Sequence, residues 1–480
     1  MIRLRRTLPL SFFLSFLLLL CSIDLHANIK LPYFFSDNMV LQQKTDAAIW
    51  GWAKANTTVQ VTGSWNKKKY TVKSDAQGKW KLKIGTPAAG GPFEITVSDG
   101  NPVTLHNVLV GEVWLCSGQS NMEMPMKGYK DQPILGSNEA IFSSSNDNLR
   151  LYTLPHSVQT EPQDTSKMSS WKVASPEAVS NFSATAYYFG RILQQQLKVP
   201  IGLVNISYGG SPIEAFMSAE ALKEYPEIKL PSGTGTAKPT NHTPTSLYNG
   251  MILPFVGYNI KGFLWYQGES NNGRPDHYEK LMASMVSQWR KDFGRDSLPF
   301  YFVQIAPFKY SQGTVSTNEK INSAYLRDAQ RKSLAKIPGS GMAVLTDAGE
   351  ENSIHPANKE TVGKRLAYMA LGHAYGLNGF AYSSPAYDSI IINGNIATIK
   401  FKDAPNGLTS FGKPIVNFEI AGADKVFKPA KAIVVRGTVL VSSPDVPDPV
   451  AVRYAFKDFI SGELFGTEGL PVSSFRTDNW

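Results

Sequence analysis

Between Val108 and Gly376 the sequence alternates apolar runs of strand length with amphipathic segments of helix length. The predicted strands cover 108–116, 200–207, 259–266, 299–305 and 341–346, and the predicted helices cover about 184–197, 276–293, 322–335 and 358–375. Apolar residues recur at spacings of three and four in the helical segments, which indicates one buried face on each helix. This alternation predicts an α/β fold with a doubly wound parallel sheet covered on both faces.

The sequence on either side of this region has a different pattern of apolar residues. From residue 28 to about 107, short alternating runs such as Thr57-Val59-Val61 are separated by Gly and Asn turns, and strand-like runs such as 432–441 return after Gly376. Both regions predict small β-sandwich-like domains. We therefore divide the chain into a signal segment 1–27, an N-terminal β-domain 28–107, an α/β domain 108–376 and a C-terminal β-domain 377–480.

The first residues have the pattern of a secretory signal. Three arginines precede an apolar run at 8–20, and Ala27 offers a small residue for cleavage. The run is too short to span a bilayer comfortably, and no later segment reaches the roughly 20 apolar residues of a transmembrane helix. We expect an exported protein, periplasmic or secreted, with no stable membrane insertion after signal removal. A lipid anchor at Cys21 is the less favoured alternative, because Leu20 rather than a small residue precedes it.

The distribution of charge argues against a nucleic-acid partner. The chain has 48 Lys and Arg against 39 Asp and Glu, a formal net charge of +9. Its basic residues are scattered, with only short runs such as 67–69, and a solvated surface explains such scatter better than a nucleic-acid site does.

Chemically distinctive residues follow three of the predicted strands. These segments are Gly118-Gln119-Ser120-Asn121-Met122, Ser207-Tyr208-Gly209-Gly210-Ser211-Pro212 and Trp265-Tyr266-Gln267-Gly268-Glu269-Ser270-Asn271. In α/β sheets, functional residues collect at the carboxyl ends of strands. A serine there can expose its hydroxyl, and paired glycines let backbone N–H groups approach a ligand. Taken singly, the first segment is better explained by a helix cap, and the second by an ordinary turn.

Elimination makes His355 the candidate base. Of the seven histidines, none beyond the signal segment forms a close pair with metal-ligand spacing, so we expect no zinc site. His355 lies in Ile354-His355-Pro356, on a loop before a predicted helix. The remaining histidines lack a neighbouring strand end or lie inside a helix: His106, His156, His242, His277 and His373.

Together these segments resemble the sequence blocks of the SGNH hydrolase superfamily and, more narrowly, those of its sialate O-acetylesterase family. The segments 37–42, Trp50-Gly51-Trp52 and 246–252 also resemble that family, so the resemblance covers nearly the whole chain after the signal. It implies a flavodoxin-like sheet, hydrolysis of O-acetyl esters on a sugar or glycan, and no cofactor. Sialic acids are the leading substrate, with a plant polysaccharide such as xylan as the alternative.

The resemblance also implies roles for individual residues. Ser120 would attack the acetyl carbonyl while His355 accepts its proton. An oxyanion hole would form from the Ser120 amide, from Gly210 or its neighbour Gly209, and from a polar group of the third block, for which we choose Gln267.

Three residues that flank the blocks are our candidates for contacts with the substrate: Phe216, Tyr266 and Arg274. An arginine can form a bidentate pair with a carboxylate such as that of sialic acid.

One departure from the family pattern concerns the partner of His355. SGNH hydrolases commonly carry an aspartate three residues before this histidine, whereas this chain has Asn352. Either a neutral carbonyl orients the imidazole, or another carboxylate does so. We favour Glu269, because related acetyl esterases with a Gln-Gly-Glu block have been assigned that role. The departure also keeps open a catalytically impaired carbohydrate-binding protein.

Overall fold

The computed structural model describes residues 29–231, 238–310 and 322–480. The predicted signal segment 1–27 lies outside the described residues. Within these three ranges, no helix combines the length and the apolar character needed to cross a membrane.

The N-terminal part of the described chain is built from antiparallel strands and one short parallel strand. The strands are β1 (Val40–Gln42), β2 (Asp46–Trp52), β3 (Thr58–Gly63), β4 (Lys69–Lys73), β5 (Lys79–Gly85) and β6 (Gly90–Ser98). Strand β2 pairs with β5, and β3 pairs with both β4 and β6. Along β3 the buried residues Val59 and Val61 alternate with more exposed ones, as a period of two requires for a sheet with one buried face.

A mixed sheet with helices forms the centre of the molecule. Its strands are β7 (Pro102–Gly118), β8 (Asn146–Thr153), β9 (Lys172–Ala174), β10 (Ile201–Ser207), β11 (Gly262–Tyr266), β12 (Phe300–Val303) and β13 (Ser340–Ala343). Their order in space is β13-β12-β11-β7-β10-β8-β9. All neighbouring pairs are parallel except β8 and β9. The five predicted strands are confirmed, whereas β8 and β9 were not predicted.

Strand β7 belongs to both parts of the molecule. Its first half pairs with β6 and β1, and its second half lies between β10 and β11. Every residue from Val108 to Gly118 is buried. The boundary that we place between residues 107 and 108 therefore falls inside a continuous strand.

Helices cover both faces of the central sheet. They are α1 (Ser120–Glu123), α2 (Ser137–Phe142), α3 (Pro176–Ser180), α4 (Ala184–Leu197), α5 (Ala219–Leu222), α6 (Pro275–Asp292), α7 (Ala324–Ser333) and α8 (Lys359–Met369). Along β11, Phe263 and Trp265 pack into one core with α6 and α7, while Leu264 and Tyr266 pack into a second core with α4 and α8. The four predicted helices are confirmed. The last one ends in a wider π turn at Ala370–Ala374.

The C-terminal part is again built from β-strands. They are β14 (Ala386–Asn393), β15 (Ile396–Lys402), β16 (Leu408–Thr409), β17 (Phe418–Ala421), β18 (Lys428–Pro429), β19 (Lys431–Val435), β20 (Thr438–Ser442), β21 (Ala451–Tyr454), β22 (Phe465–Gly466) and β23 (Phe475–Arg476). Two four-stranded sheets, β14-β15-β20-β19 and β18-β17-β21-β23, share one apolar core.

A buried arginine joins this C-terminal part to the central sheet. Arg327 on α7 is fully buried and donates hydrogen bonds to the carbonyl oxygens of Ala455, Lys457 and Asp458. Burial lowers the pKa of Arg327 to about 10, so the guanidinium stays charged at neutral pH. These carbonyl groups replace the water that it loses.

A close backbone contact ends β7 beside β11. Gly118 has a φ of +140°, and a Cβ atom at this position would lie 2.1 Å from the carbonyl oxygen of Tyr266. Only glycine tolerates both the conformation and the distance. The contact places Ser120 next to the residues that follow Tyr266.

Candidate functional site

Ser120 and His355 form a hydrogen-bonded pair at the carboxyl end of the sheet. Ser120 begins α1 directly after β7, and His355 lies on the loop between β13 and α8. The distance from Ser120 Oγ to His355 Nε2 is 2.7 Å. The structure thus brings together two predicted residues that are 235 positions apart. A serine hydroxyl on an imidazole nitrogen can act as a nucleophile when that nitrogen takes its proton.

The other nitrogen of His355 faces a side-chain amide that was not predicted. His355 Nδ1 lies 2.6 Å from Oε1 of Gln132, on the loop between α1 and α2. Because an amide oxygen only accepts, Nδ1 carries the proton and donates, which leaves Nε2 to accept from Ser120. Both predicted partners of His355 are therefore wrong. Asn352 lies exposed on a turn, and Glu269 is engaged elsewhere.

The surroundings of His355 favour its neutral form. Burial lowers the pKa of this imidazole to about 4, and the positive charge of Lys359 acts in the same direction. Gln132 brings no negative charge to oppose either effect. At neutral pH the ring is unprotonated at Nε2, as a base must be.

Asn121 and Glu269 form a buried network behind the serine. Nδ2 of Asn121 donates to Oε1 of Glu269 at 2.6 Å and to the carbonyl oxygen of Ile354 at 3.0 Å. Oδ1 of Asn121 accepts from the ammonium group of Lys359. Burial raises the pKa of the Glu269 carboxyl. The carboxylate that we predicted as the partner of His355 instead binds the residue after Ser120.

The glycine turn after β10 offers one of its two N–H groups to a ligand. The Gly209 N–H donates to Oε2 of Glu123 at 2.5 Å, so this group is occupied. Among the described residues, no acceptor is found for the N–H groups of Ser120 and Gly210. Gly210 has a φ of +72°, which a residue without Cβ adopts readily. Of the two predicted glycines, Gly210 is the available one.

Gln267 cannot serve as an oxyanion donor, and that prediction is wrong. Its side chain is fully buried. Nε2 donates to the Ser211 carbonyl at 3.1 Å and to Oδ1 of Asn271 at 2.7 Å. Oε1 accepts from the hydroxyl of Tyr278 at 2.9 Å. With every polar atom satisfied inside the protein, Gln267 supports the glycine turn from behind.

Two of the three predicted substrate contacts are also wrong, because their side chains are in the core. Phe216 is fully buried and packs edge-on against Trp265, with ring centroids 5.2 Å apart. Tyr266 is fully buried, with the ammonium of Lys359 5.7 Å from its ring centroid. Neither ring can reach a sugar in solution.

Arg274 lies where a substrate could reach it. It precedes α6, its side chain is 54% exposed, and its Nη1 lies 2.8 Å from Oε1 of Glu214. Both residues line a cavity of about 540 Å³, together with Pro212 and His242. Pro212 follows the glycine turn closely, so the cavity adjoins that turn. Within the described ranges, no group of three or more His, Cys, Asp or Glu side chains is arranged to hold a metal ion.

The structure brings a second histidine to the glycine turn. His156 Nε2 lies 2.6 Å from Oε1 of Glu123, and its ring stacks on Tyr208 with centroids 3.7 Å apart. His156 was not among the predicted site residues, because no predicted strand ends near it. The spacing of three between Ser120 and Glu123 could have indicated that Glu123 shares the serine's helix face. No comparable signal exists for His156 or Gln132.

The chain is similar to several known proteins. A family model described as "Carbohydrate esterase, sialic acid-specific acetylesterase" matches residues 110–371, which include Ser120, Gly210 and His355. Sialate O-acetylesterase of Homo sapiens is 32% identical over 391 residues, 74% of this chain and 73% of that protein. The Rattus norvegicus protein of the same name is 30% identical over 433 residues, 78% of this chain and 79% of its own. A crystal structure described as a novel carbohydrate acetylesterase from Xanthomonas citri covers 94% of this chain and 100% of its own, with 37% identity and a TM-score of 0.85.

The Gln132 contact predicts a change in the titration of His355. Gln132→Glu places a carboxylate on Nδ1, which stabilises the imidazolium, so the pKa of His355 should rise by about one to three units. NMR titration of the imidazole measures this shift. Gln195→Glu, on the exposed side of α4, is the matched control and should leave the pKa of His355 in place. An unchanged pKa in Gln132→Glu would show that the amide does not face the ring in solution.

Proposed function

This chain belongs to the carbohydrate esterase family of sialic acid-specific acetylesterases, and on that premise we propose that Ser120 and His355 carry out its hydrolysis of O-acetyl esters on sugars. The observation that supports this assignment is the 2.7 Å contact between Ser120 Oγ and His355 Nε2. His355 takes the serine proton as Oγ attacks the acetyl carbonyl, and the sugar hydroxyl leaves with that proton. Water then releases acetate from the acyl-serine by the same steps.

We assign the oxyanion hole to the backbone N–H groups of Ser120 and Gly210. Ser120 follows β7 and Gly210 follows the neighbouring strand β10, and the N–H groups of both lack an acceptor among the described residues. The bond between Glu123 and the Gly209 N–H fixes the turn that carries Gly210. A donor of this kind contributes roughly 10²–10³ to kcat in other hydrolases.

The imidazolium formed during attack is stabilised by a dipole rather than by a charge. Gln132 Oε1 accepts from Nδ1 and fixes the tautomer, but it adds no carboxylate. His355 is therefore a weak base that stays unprotonated over a wide pH range, because burial lowers its pKa to about 4. The short contact between Ser120 and His355 argues against the alternative that this protein is a catalytically impaired carbohydrate-binding protein.

Replacing the nucleophile tests this proposal most directly. Ser120→Ala should turn over a chromogenic acetate ester at least about a thousandfold more slowly than the wild-type protein, since loss of one member of such a unit has effects of this size. Ser143→Ala, in an exposed position after α2, should keep full activity. Both variants should show the wild-type circular dichroism spectrum. If Ser120→Ala retained more than about a tenth of the wild-type rate, another group would be the nucleophile.

We propose an O-acetylated sialic acid as the leading substrate. The curated relatives described above carry the name sialate O-acetylesterase, and Arg274 lies on the wall of the cavity beside the glycine turn. Its exposed guanidinium can pair with the substrate's carboxylate in place of Glu214. The alternative, an acetylated plant polysaccharide such as xylan, has a neutral backbone and would not need this arginine.

We expect removal of Arg274 to change KM differently for the two candidate substrates. Arg274→Ala should raise KM for an O-acetylated sialic acid by roughly tenfold or more, the range expected for a lost charged hydrogen bond. KM for an acetylated neutral xylo-oligosaccharide should change little, because that ligand has no carboxylate. The exposed Arg295→Ala variant controls for the loss of one positive charge. Equal changes in KM for both substrates would exclude Arg274 from carboxylate binding.

We also propose that the catalytic sheet is flavodoxin-like and that a β-sandwich-like domain flanks it on each side. The spatial order β10-β7-β11-β12-β13 supports this assignment, because in chain order these strands read 2-1-3-4-5, the order of flavodoxin. Strands β8 and β9 then extend the edge beyond β10. The flanking domains are supported by the antiparallel pairings among the strands from β2 through β6 and among those from β14 through β23.

We also propose that the protein is exported. The arginines and the apolar run at 8–20 support a cleaved signal, which would release a protein into the periplasm or the medium. N-terminal sequencing of the protein recovered from a bacterial periplasmic fraction should find Asn28 as the first residue. A mature protein that begins at Cys21 would instead identify the lipid-anchored alternative.

A further inference from the structure

A fully buried lysine lies directly behind the proposed catalytic pair. Lys359 is the first residue of α8, four positions after His355, and none of its surface is exposed. Its ammonium donates to Oδ1 of Asn121 and lies 5.7 Å from the ring centroid of Tyr266. Among the described residues, no carboxylate forms an ion pair with it. A buried ammonium without a direct counter-charge is costly to keep, which points to a role other than packing.

The lysine holds an amide that connects both reacting residues. Asn121 is the next residue after Ser120, and its Nδ2 donates to the carbonyl oxygen of Ile354, the residue before His355. Its second acceptor is Glu269. With Oδ1 bound by Lys359, the amide cannot rotate without breaking all three bonds. The turn that carries the nucleophile and the loop that carries the base are thereby fixed to each other.

The lysine charge acts on His355 in the pH range where His355 titrates. Burial lowers the pKa of Lys359 to about 7, against the opposing charges of Glu269 and Glu350, so the ammonium is charged near pH 4. Burial raises the pKa of Glu269 above its usual value, so near pH 4 this group is mostly neutral. The positive charge of Lys359 is then not balanced by Glu269 when His355 begins to take up a proton.

Within the described residues, no acidic side chain is in direct contact with His355. Its remaining neighbours are the hydroxyl of Ser120, the amide of Gln132 and the ring of Tyr129, whose centroid lies 5.5 Å away. Burial holds the pKa of Tyr129 well above its usual value, so this phenol is neutral. Glu350 accepts a hydrogen bond from the N–H of Ala357 at 2.7 Å and is the acidic group that faces the lysine from the loop.

We propose that Lys359 is a positioning residue that locks Asn121 between Ser120 and His355 and whose positive charge adds to the effect of burial in keeping His355 unprotonated in mildly acidic surroundings. This inference rests on the proposed roles of Ser120 and His355. It also gives Glu269 a role as the second support of Asn121 rather than as the partner of the imidazole. The enzyme would thus keep its base available down to a lower pH than an ordinary histidine allows.

The test compares the acid limb of the pH profile in wild type and in Lys359→Met. Methionine keeps the length of the side chain but removes the charge, so the pKa of His355 should rise by on the order of one unit. The acid limb of kcat/KM for a chromogenic acetate ester should move from about pH 4 toward higher pH by the same amount. Lys364→Met, at a partly exposed position on the same helix, is the matched control and should leave the limb in place.

NMR titration of the His355 ring separates this proposal from the proposed function. If the ring titration shifts in Lys359→Met but the rate profile does not, the lysine is coupled to His355 while His355 is not the base. If neither shifts and the variant is folded, the role of Lys359 is wrong, and the assignments of Ser120 and His355 are untouched. A wild-type His355 that titrates near 6.5 would overturn the proposal without any variant.

Glu269→Gln provides an isosteric second variant in case Lys359→Met does not fold. Because Glu269 is mostly neutral near pH 4, this change should lower kcat through the loss of support for Asn121 but leave the acid limb in place. A limb that moves to lower pH would mean that Glu269 stabilises the imidazolium directly, which contradicts the network described here.

Discussion

The contact between the backbones of Gly118 and Tyr266 determines where the reacting groups of this enzyme lie. A Cβ atom on Gly118 would lie 2.1 Å from the carbonyl oxygen of Tyr266. Strand β7 can end this close to β11 only because glycine has no Cβ. The serine turn consequently begins against the end of β11, within hydrogen-bond distance of the residues after it. Gln119 accepts from the Ser270 N–H at 3.2 Å, and Asn121 reaches Glu269. Without this approach the blocks would lie on neighbouring strands but would not touch.

Neutral amides hold the two reacting residues in place. Gln132 orients His355, and Asn121 joins the serine turn to the histidine loop. In a medium of low polarity an amide can satisfy a donor and an acceptor at once without the desolvation cost of an ion. The charged members, Glu269 and Lys359, lie one residue further from the reaction, and their hydrogen bonds reach it only through Asn121.

The sequence predicted the central strands and long helices well because their apolar periodicity is local. It also singled out Ser120 and the Gly209-Gly210 turn, since each follows a strand end, and His355 by elimination; the structure brings Ser120 and His355 into contact. It failed where side chains meet across long separations: Gln132 reaches His355 from 223 positions away, on a loop with no distinctive pattern. Phe216, Tyr266 and Gln267 were misassigned because sequence position near a strand end does not reveal on which side of the sheet a side chain is buried.

The burial of Arg327 has a consequence for the order in which the chain can fold. The carbonyl of Asp458, which solvates its guanidinium, follows 131 positions later. Until that segment is in place the guanidinium must remain hydrated, so helix α7 cannot complete its packing on the sheet. The C-terminal segment must therefore fold into place before α7, a helix in the middle of the chain, can finish packing.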